Sequence, residues 1–447
     1  MAASGQPTAQ LTDFISATSW GALPDEVRTV VRTCLLDWLA VVIAGSQEPI
    51  LDPLRQVLSS EGGSASAQVL ARDMRLPAHQ AAMLNSAAAP VHDYDDTYYP
   101  MYGHPTAPVA GALLAVAERD GATGRRLLEA LAVGVETTCR IGRALGYGPY
   151  LRGFAPSGNT GAVGASAGLA RLHVLDPAQT ASVLAYGAGQ AAGLHGIGGL
   201  AALFQTGRAA ASAVSALDVV RAGAVAAHDV LERPKGYFAL RTDTPDYATL
   251  TDGLGDTYDL LDMLFKFAAA CGGALPSIAA AREVSRRLGH RVEESSFDVG
   301  VSATVKRLCS IGIPRTGDEA KLSIPFCVAA TVRGFDMADP ATYSSGVIED
   351  AAVQAIMSRV RVRHDDTVSE WTAEIRTSTD DRVVDITAHR TDERAGDLRE
   401  QYVAVERKFR LLVEPVLGGD RVDEILPLVR DLEHFDDLGG FFALLRP

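Results

Sequence analysis

The sequence predicts a mainly α protein, with a large all-helical domain and a smaller α+β lid domain. Three observations support this fold class. Segments rich in alanine and glycine, with apolar residues at helical spacing, recur through residues 1–265. Alternation of apolar and polar residues, typical of half-buried strands, begins only after about residue 266. Helical spacing returns near the C-terminus, so we expect residues 405–447 to complete the helical domain and residues 266–404 to form the lid.

The first helices of the large domain have clear start and stop signals. Residues 8–45 predict two helices. In the second, Pro24 suits the first turn, Asp25 and Glu26 suit the positive end of the helix dipole, and Gly45 suits the stop. Further helices are predicted within residues 107–121, 123–145, 161–176 and 207–224.

One helical stretch resembles a membrane span. Residues 177–207 contain no Lys, Arg, Asp or Glu, and they are numerous enough to cross a bilayer. They are mostly Ala and Gly, however, with Gln190, His195 and Gln205 among them. Small residues let helix backbones approach closely in water-soluble bundles as well. The stretch therefore predicts a buried pair of helices in a water-soluble protein.

The predicted lid mixes strands with helices. The alternating segments are FDVGVSATV, MSRVRVRHDD, WTAEIRTST and RVVDITAHR. Two helical segments lie among them, SIAAAREVSRRLG and EAKLSIPFCVAATVRG. Helix follows again in ILPLVRDLEHFDDLGGFFALLRP at the end of the chain. A cleft between two such domains is a common place for a small-molecule ligand.

Composition excludes several classes of function. A length of 447 residues suggests two domains, and a net charge of −14 disfavours nucleic acid and anionic membrane as partners. The five cysteines form no C-x-x-C pair, which argues against a disulfide framework and a thiolate zinc site. The opening MAASGQPTAQ has neither a basic nor an apolar signal region. We expect a short disordered lead and a cytoplasmic protein.

A glycine-rich segment, GNTGAVGASAG at residues 158–168, superficially suggests dinucleotide binding. That fingerprint requires a preceding strand and a later acidic residue, and the sequence predicts neither. Close packing of helices at small residues explains the segment better. A phosphate-binding GK[ST] loop is also absent from the sequence.

The stretch HDYDDTYYPMYGHPT, residues 92–106, concentrates groups that can ionise. Three hypotheses compete for it: a metal site, a proton-transfer site and a solvated loop. Histidine and carboxylate are metal ligands, but the spacing completes no recognised coordination motif. A solvated loop is disfavoured by the apolar helices on both sides and by the cost of exposing Tyr94, Tyr98, Tyr99 and Tyr102.

The same stretch resembles the signature of a known family. DYDDT at residues 93–97, followed by HPTAPVAGALLAVAE from His104, is similar to the signature of the MmgE/PrpD family. Four later segments resemble family segments in the expected order: RGFAPSGNTGAVGASAGLARLHVLDPAQ, FQTGRAAASAVSALDVVRAGA, FKFAAACGGALPSIAAA and DEAKLSIPFCVAATVRG. The family includes 2-methylcitrate dehydratases, cis-aconitate decarboxylases and iminodisuccinate epimerases.

The resemblance implies a helical domain with an α+β lid, a homodimer, and no metal or organic cofactor. It implies removal of a proton beside a carboxylate, followed by loss of water, loss of CO₂ or reprotonation. By the same resemblance, Asp93, Thr97, His104 and Lys266 occupy active-site positions. Among them His104 suits the base, because only its unperturbed pKa lies near neutrality. Asp93 would orient the imidazole or transfer a proton, Lys266 would stabilise developing negative charge, and Thr97 would hydrogen-bond substrate.

Several family positions are occupied here by different residues. Groups that are Lys, His or Tyr in the family align with Ala155, Ala202, Gln205, Leu275 and Phe326. Fewer cations then face a substrate, and each unpaired carboxylate costs several kcal/mol to desolvate. Arg208 and Arg152 lie close in the sequence and are candidates to compensate. We therefore predict negligible turnover of 2-methylcitrate and cis-aconitate.

The predicted function is that of a lyase acting on a small-molecule carboxylate or carbonyl substrate. His104, Asp93 and Lys266 are the predicted catalytic residues. Thr97, Tyr102, Gln205, Arg208 and Phe326 are the predicted substrate-binding residues. We expect Asp93, Thr97 and His104 to line one pocket with Lys266 in the interdomain cleft, walled by tyrosines. An isomerase, a decarboxylase and a catalytically silent binding protein remain alternatives, and an apolar lining would suit a substrate from secondary metabolism.

Overall fold

The computed structural model describes residues 6–379, 382–389 and 397–447. The chain divides into two compact units, each described below by itself. The first unit contains residues up to Val91, Asp95–Phe265 and Leu398–Pro447. The second contains His92–Tyr94 and Lys266–Asp397. Each unit thus takes residues from separate parts of the chain.

The first unit is built almost entirely from α-helices. Its helices before the second unit begins are α1 (Pro7–Ala17), α2 (Asp25–Gly45), α3 (Asp52–Glu61), α4 (Ala78–Ala88), α5 (Thr106–Asp120), α6 (Gly124–Leu145), α7 (Gly148–Leu151), α8 (Pro156–Leu172), α9 (Pro177–Gln190), α10 (Gly199–Arg221) and α11 (Tyr247–Thr251). Its C-terminal helices, which we label α18–α20 in chain order, are Leu398–Leu417, Gly419–Arg430 and Gly439–Leu444.

Small residues set the spacing of these helices. A Cβ at Gly164 of α8 would collide with the Thr138 side chain of α6, and one at Gly207 of α10 would collide with the Met83 carbonyl oxygen of α4. Glycine at these positions lets the helix pairs α6–α8 and α4–α10 pack backbone against backbone. The alanine-rich composition is therefore a consequence of close helix packing.

The stretch without charged residues forms two helices, as the sequence predicts, but most of residues 189–205 is exposed or half-buried, so the prediction of a buried pair is wrong for that part. It contributes α9 and the first part of α10, separate helices that pack against each other. Asp176 caps α9 by accepting from the Gln179 backbone N–H at 2.8 Å. Within the described residues, no helix is both long enough and apolar enough to span a membrane.

The second unit combines helices with a small sheet. Its helices are α12 (Leu275–Leu288), α13 (Ala303–Leu308), α14 (Gly317–Lys321), α15 (Ile324–Val332), α16 (Ser345–Ile348) and α17 (Ala351–Met357). In chain order, the strands of the protein are β1 (Ala67–Gln68), β2 (Arg75–Leu76), β3 (Ser296–Val301), β4 (Val360–His364), β5 (Thr372–Thr379) and β6 (Arg382–His389). The last four form the sheet of this unit, in the order β4-β3-β5-β6.

The sheet is mixed. Strand β3 pairs parallel to β4, with Val299 opposite Val362, and antiparallel to β5, with Val299 also opposite Ile375. Strands β5 and β6 pair antiparallel, with Ile375 opposite Ile386. Helix α12 packs on β5 and β6. The alternating apolar residues of the sequence thus become one buried face of the sheet.

The fold class is confirmed, and the structure differs from the prediction in three local details. The first unit includes one short antiparallel pair, β1 and β2, beside its helices. The segment FDVGVSATV ends as a strand at Val301, because the Ser302 side chain caps α13. The predicted helix of residues 319–334 is divided, because the Ser323 side chain accepts from the Phe326 N–H and begins a new helix, α15.

Candidate active site

Backbone pairing fixes the acidic stretch of the first unit. The Thr97 N–H donates to the Leu264 carbonyl at 2.8 Å, and the Leu264 N–H donates back at 2.9 Å. A tight turn follows, in which the Tyr98 N–H donates to the Gly103 carbonyl at 2.9 Å. Residues 97–103 therefore form a structured turn, and His104 lies directly after it, just before α5.

His104 is held at the beginning of α8. Its backbone N–H donates to Ser157 Oγ at 3.2 Å, in the first turn of that helix. Gly103 is essential to this approach, because a Cβ there would lie 2.8 Å from Pro156 Cβ and 2.7 Å from Met101 Cε. The imidazole side chain keeps 26% of its surface exposed. His104 is thus rigidly attached but still accessible.

The hydrogen bonds of His104 fix its tautomer. Nδ1 lies 2.9 Å from the Asp96 carbonyl oxygen, which can only accept. Nδ1 therefore carries the hydrogen, and in the neutral ring the lone pair resides on Nε2. Within the described residues, Nε2 has no hydrogen-bond partner of its own. The arrangement leaves Nε2 ready to accept a proton.

Asp95 supplies a carboxylate beside the same nitrogen. Its Oδ1 lies 3.3 Å from His104 Nδ1, and its side chain is 2% exposed. Among the described residues, neither carboxylate oxygen of Asp95 has a hydrogen-bond partner. A buried carboxylate in this position stabilises an imidazolium more than a neutral imidazole.

Asp96 belongs to a buried group of charged residues that we call the acid cluster: Asp37, Asp95, Asp96 and Lys408. Thr106 Oγ1, in the first turn of α5, donates to Asp96 Oδ2. On α2, Asp37 accepts a hydrogen bond of 2.6 Å from the ammonium of Lys408 on α18. All four residues of the cluster are buried. Three carboxyl groups are therefore buried together with a single ammonium group.

This imbalance of charge raises the affinity of the cluster for protons. Burial, followed by the Asp37 carboxylate, raises the pKa of Asp96 to about 8, although the hydrogen bond from Thr106 opposes the rise. Burial also raises the pKa of Asp37, against the opposing effect of Lys408. At neutral pH Asp96 is therefore mostly a neutral carboxylic acid.

In the second unit, Lys266 and Asp93 form a buried ion pair. The ammonium donates to Asp93 Oδ1 at 2.5 Å and to the Asp93 carbonyl at 2.8 Å. The Lys266 side chain is 1% exposed, and that of Asp93 is 32% exposed. Asp93 also has a positive φ of 49°, which costs energy for a residue other than glycine. Its contacts with Lys266 compensate for this strain.

The structure brings the three predicted catalytic residues and the predicted binding residue Thr97 together in two pairs. Thr97 Oγ1 lies 3.4 Å from His104 Nδ1 in the first unit, and Asp93 pairs with Lys266 in the second. The contacts with His104 Nδ1 that the sequence assigned to Asp93 are made by Asp95 and the Asp96 carbonyl. Whether all four predicted residues share one pocket stays a prediction.

Tyr102 lies in an aromatic group of the first unit. Its ring stacks on Tyr150 at 5.0 Å between centroids and meets Tyr147 edge-on at 4.1 Å. The hydroxyl of Tyr150 lies 3.1 Å from His195 Nε2. Tyr102 also has a positive φ, 52°, which directs the chain from the turn into Gly103 and His104. Its predicted contact with substrate is compatible with this position.

The other predicted binding residues differ in their surroundings. Gln205 makes two hydrogen bonds with the Leu194 backbone, which close the loop between α9 and α10. Arg208 is exposed, whereas Arg152 pairs with Asp243 at 2.5 Å. In the second unit, Phe326 is fully buried, with its ring 5.9 Å from that of Tyr343. The role of each in binding stays a prediction.

One alternative interpretation of the sequence is wrong, and one motif in the sequence has no catalytic meaning. The solvated loop is excluded, because Asp95, Asp96, Thr97, Tyr98 and Tyr99 are all buried. Residues 164–168 match the G-x-S-x-G pattern of serine hydrolases, but Ser166 lies within α8 and donates to the Ala162 carbonyl at 2.8 Å. A nucleophile elbow requires a sharp turn between a strand and a helix. Ser166 is therefore a packing residue.

Sequence reasoning missed four residues of this region: Asp37, Asp95, Ser157 and Lys408. Asp95 was visible in the acidic stretch, but Asp93 and Asp96 are so close to it in the sequence that the pattern did not show which carboxylate faces the imidazole. Asp37 and Lys408 lie inside ordinary helical segments. A charged residue at a position that helical spacing assigns to the core was the available signal for both.

The fold and the site together define a class of protein: a two-unit, mainly helical chain with a half-buried histidine beside buried carboxylates. Comparison with known families identifies the class further. The MmgE/PrpD N-terminal domain matches residues 9–250, and the MmgE/PrpD C-terminal domain matches residues 268–434. The chain belongs to the MmgE/PrpD family. A search of curated proteins gave no significant match.

Proposed function

We propose that this protein is a cofactor-independent lyase that removes a proton α to a carboxylate or carbonyl group and then eliminates a β-substituent. Membership of the MmgE/PrpD family supports this class of chemistry at a coarse level. The observation that carries the proposal is the hydrogen bond from His104 Nδ1 to the Asp96 carbonyl, because it leaves the Nε2 lone pair as a base.

Asp95 supports the same step. When Nε2 accepts the substrate proton, His104 becomes a cation whose Nδ1 lies 3.3 Å from Asp95 Oδ1. Attraction between the two is absent before proton transfer and grows during it, so it lowers the barrier rather than only tightening binding. The neutral Asp96 carboxyl adds no second full negative charge that would compete for the proton.

Lys266 is proposed to stabilise the negative charge that develops on the substrate. A buried ammonium interacts strongly with an enolate-like oxygen, because little water screens it. Asp93 holds this ammonium through both its carboxylate and its carbonyl. The chain itself links the two groups of residues, since Leu264, which pairs with Thr97, precedes Lys266 by two positions.

The substrate is proposed to be a small organic acid, or a more apolar analogue with fewer carboxylates than 2-methylcitrate. Ala155 begins α8 without any side-chain cap, and Gln205 is engaged with the Leu194 backbone. Neither residue adds a cation for a second or third carboxylate. We propose a homodimer as the working form, as is expected of the family.

The test is incubation of the purified protein with a panel of 2- and 3-hydroxy acids in D₂O, followed by mass spectrometry. Loss of water with deuterium at the α-carbon of residual substrate supports the proposal. Deuterium incorporation without loss of any group indicates an isomerase, and loss of CO₂ indicates a decarboxylase. No exchange with any acid would favour a silent binding protein.

Three further measurements sharpen this test. Treatment with a strong chelator should leave the rate unchanged, which separates a histidine base from a metal-bound hydroxide. Efficient turnover of 2-methylcitrate or cis-aconitate would contradict the proposed loss of cationic contacts. His104→Gln should abolish the exchange at the α-carbon, because glutamine cannot accept the proton.

A further inference from the structure

The segment that begins with Lys266 in the second unit also contains one of two paired thiols. Cys271 is half-buried, whereas Cys309, directly after α13, is only 4% exposed. The two thiols lie close enough for each to shift the pKa of the other. A Cβ at Gly273 would lie 3.0 Å from Cys309 Sγ, so this sulfur packs directly on residues 271–273. The proposed lyase reaction makes no use of either thiol.

The surroundings of the two sulfurs make them unequal. The Cys309 thiol lowers the pKa of Cys271, and the Lys266 ammonium adds to this effect, although burial and Asp93 oppose it. The Cys271 thiol, together with burial, raises the pKa of Cys309 well above its usual value. Cys271 is therefore the thiol of the pair that ionises more readily.

The remaining cysteines provide a contrast. Cys34, Cys139 and Cys327 are all buried, and burial is the leading reason that each has a raised pKa. A thiol reacts as its thiolate, and a buried neutral thiol is nearly inert. Among the cysteines, only Cys271 combines partial exposure with a lowered pKa.

We propose that Cys271 and Cys309 are a modification site for peroxides, in which Cys271 is oxidised first and Cys309 then closes a disulfide. The Cys271 thiolate attacks one oxygen of hydrogen peroxide, and the O–O bond breaks. With one proton, the products are a sulfenic acid on Cys271 and water. Cys309 Sγ then attacks the sulfenic sulfur, an S–S bond replaces the S–O bond, and a second water leaves with the Cys309 proton. Two electrons have passed from the sulfurs to the peroxide.

Oxidation at this site changes the electrostatics around Lys266. The disulfide cannot ionise, so oxidation removes the thiol whose ionised form is attracted to the ammonium. It also joins residues 271–273 covalently to the end of α13. A dithiol reductant reverses both changes. The site therefore offers a reversible control of the segment that presents Lys266.

The test uses the full-length protein and needs no substrate. Trypsin places each cysteine in a separate peptide, with Cys271 in residues 267–282 and Cys309 in residues 308–315. We expect a few equivalents of hydrogen peroxide to join these two peptides within one chain, with loss of two hydrogens and reversal by dithiothreitol. In the untreated folded protein, iodoacetamide should label Cys271 at least about tenfold faster than Cys34 or Cys139.

Matched variants separate the two roles. Cys309→Ser should stop the reaction at the sulfenic acid, which dimedone captures on the 267–282 peptide. Cys271→Ser should leave Cys309 reduced, and Cys327→Ser should form the disulfide as the wild type does. The proposal is overturned if peroxide oxidises Cys34 or Cys139 as fast as Cys271, or if no linked peptide and no dimedone adduct form. A disulfide between two chains would also overturn it.

Discussion

The acid cluster of the first unit can be compared with a site in the second unit that we call the lysine site, formed by Asp93, Lys266, Cys271 and Cys309. The two sites neutralise buried charge in opposite ways. In the acid cluster, carboxyl groups outnumber the ammonium of Lys408, and the pKa of Asp96 rises to about 8. In the lysine site, the ammonium has Asp93 as a direct partner, and the Cys309 thiol, with a smaller contribution from the ammonium, lowers the pKa of Cys271. In the acid cluster, a proton on Asp96 reduces the excess negative charge. In the lysine site, the Asp93 carboxylate pairs directly with the Lys266 ammonium. The acid cluster therefore favours a protonated carboxyl group, and the lysine site favours ionisation of a thiol.

The largest expected effect is on the stability of the acid cluster. Lys408→Met removes the ammonium and leaves Asp37 buried without its 2.6 Å ion-pair partner. We expect a loss of about 3–5 kcal/mol in the free energy of unfolding, measured by urea titration at pH 7. Adding Asp37→Asn to this variant should recover part of the loss, because the uncompensated charge is then gone.

A matched control lies on the same helix. Arg410 of α18 pairs with Glu414 and Asp423, but its side chain is 43% exposed. Arg410→Met should cost less than about 1 kcal/mol, since exposed ion pairs contribute little. Equal losses for Lys408→Met and Arg410→Met would show that burial of the cluster has no special consequence.

The second largest expected effect is on turnover when His104, the proposed base, is replaced. His104→Gln should lower kcat/KM by about 10² or more, the usual contribution of a positioned acid–base group, with an unfolding midpoint near that of the wild type. His364→Gln, at a histidine of β4 whose side chain is 40% exposed, is the control and should retain full activity. Wild-type turnover by a folded His104→Gln variant would refute the proposed base.

These sites show how far the sequence alone could lead. The helices and strands follow local patterns, so spacing was enough to predict them. The family resemblance indicated Asp93, Thr97, His104 and Lys266, but it did not predict that Thr97 lies beside His104 or that Asp93 pairs with Lys266. The acid cluster was not predictable in this way, because Asp37, Asp96 and Lys408 come from α2, the acidic stretch and α18. Only packing of those segments shows that their charges are buried together.

The sequence also could not show which carboxylate lies beside the His104 imidazole. Asp93 and Asp95 are separated by one residue, and the sequence pattern gives no reason to choose between them. In the structure, the positive φ of Asp93 and its ion pair with Lys266 commit that side chain, while Asp95 lies 3.3 Å from His104 Nδ1. Backbone conformation thus distinguishes two residues that composition treats as equal.

The third effect tests Asp95. Asp95→Asn keeps the shape of the side chain and leaves the hydrogen bond from Nδ1 to the Asp96 carbonyl intact, but it removes the charge that stabilises the imidazolium. We expect kcat to fall about tenfold, which corresponds to ~1.4 kcal/mol of lost transition-state stabilisation. KM should change little, because the interaction forms only as the proton moves. A change in KM alone would contradict this role.

The smallest effect on activity is expected at the neighbouring carboxyl group. Because Asp96 is mostly neutral at pH 7, Asp96→Asn replaces one neutral acceptor of the Thr106 hydroxyl with another, and kcat should stay within about twofold of the wild type.

The wild type and the Asp96→Asn variant should differ in how the free energy of unfolding depends on pH. In the unfolded chain Asp96 ionises near 3.8, whereas in the folded protein its pKa is about 8. Its stabilising contribution is therefore complete below pH 3.8 and is lost as the pH rises towards 8, because only the unfolded chain gains from ionising. Asparagine does not titrate, so the unfolding free energy of the wild type should fall relative to that of Asp96→Asn between pH 5 and pH 8 and run parallel to it above. Urea titrations at several pH values measure this difference. Parallel curves throughout that range would mean that Asp96 is ionised in the folded protein and that the acid cluster holds its proton elsewhere.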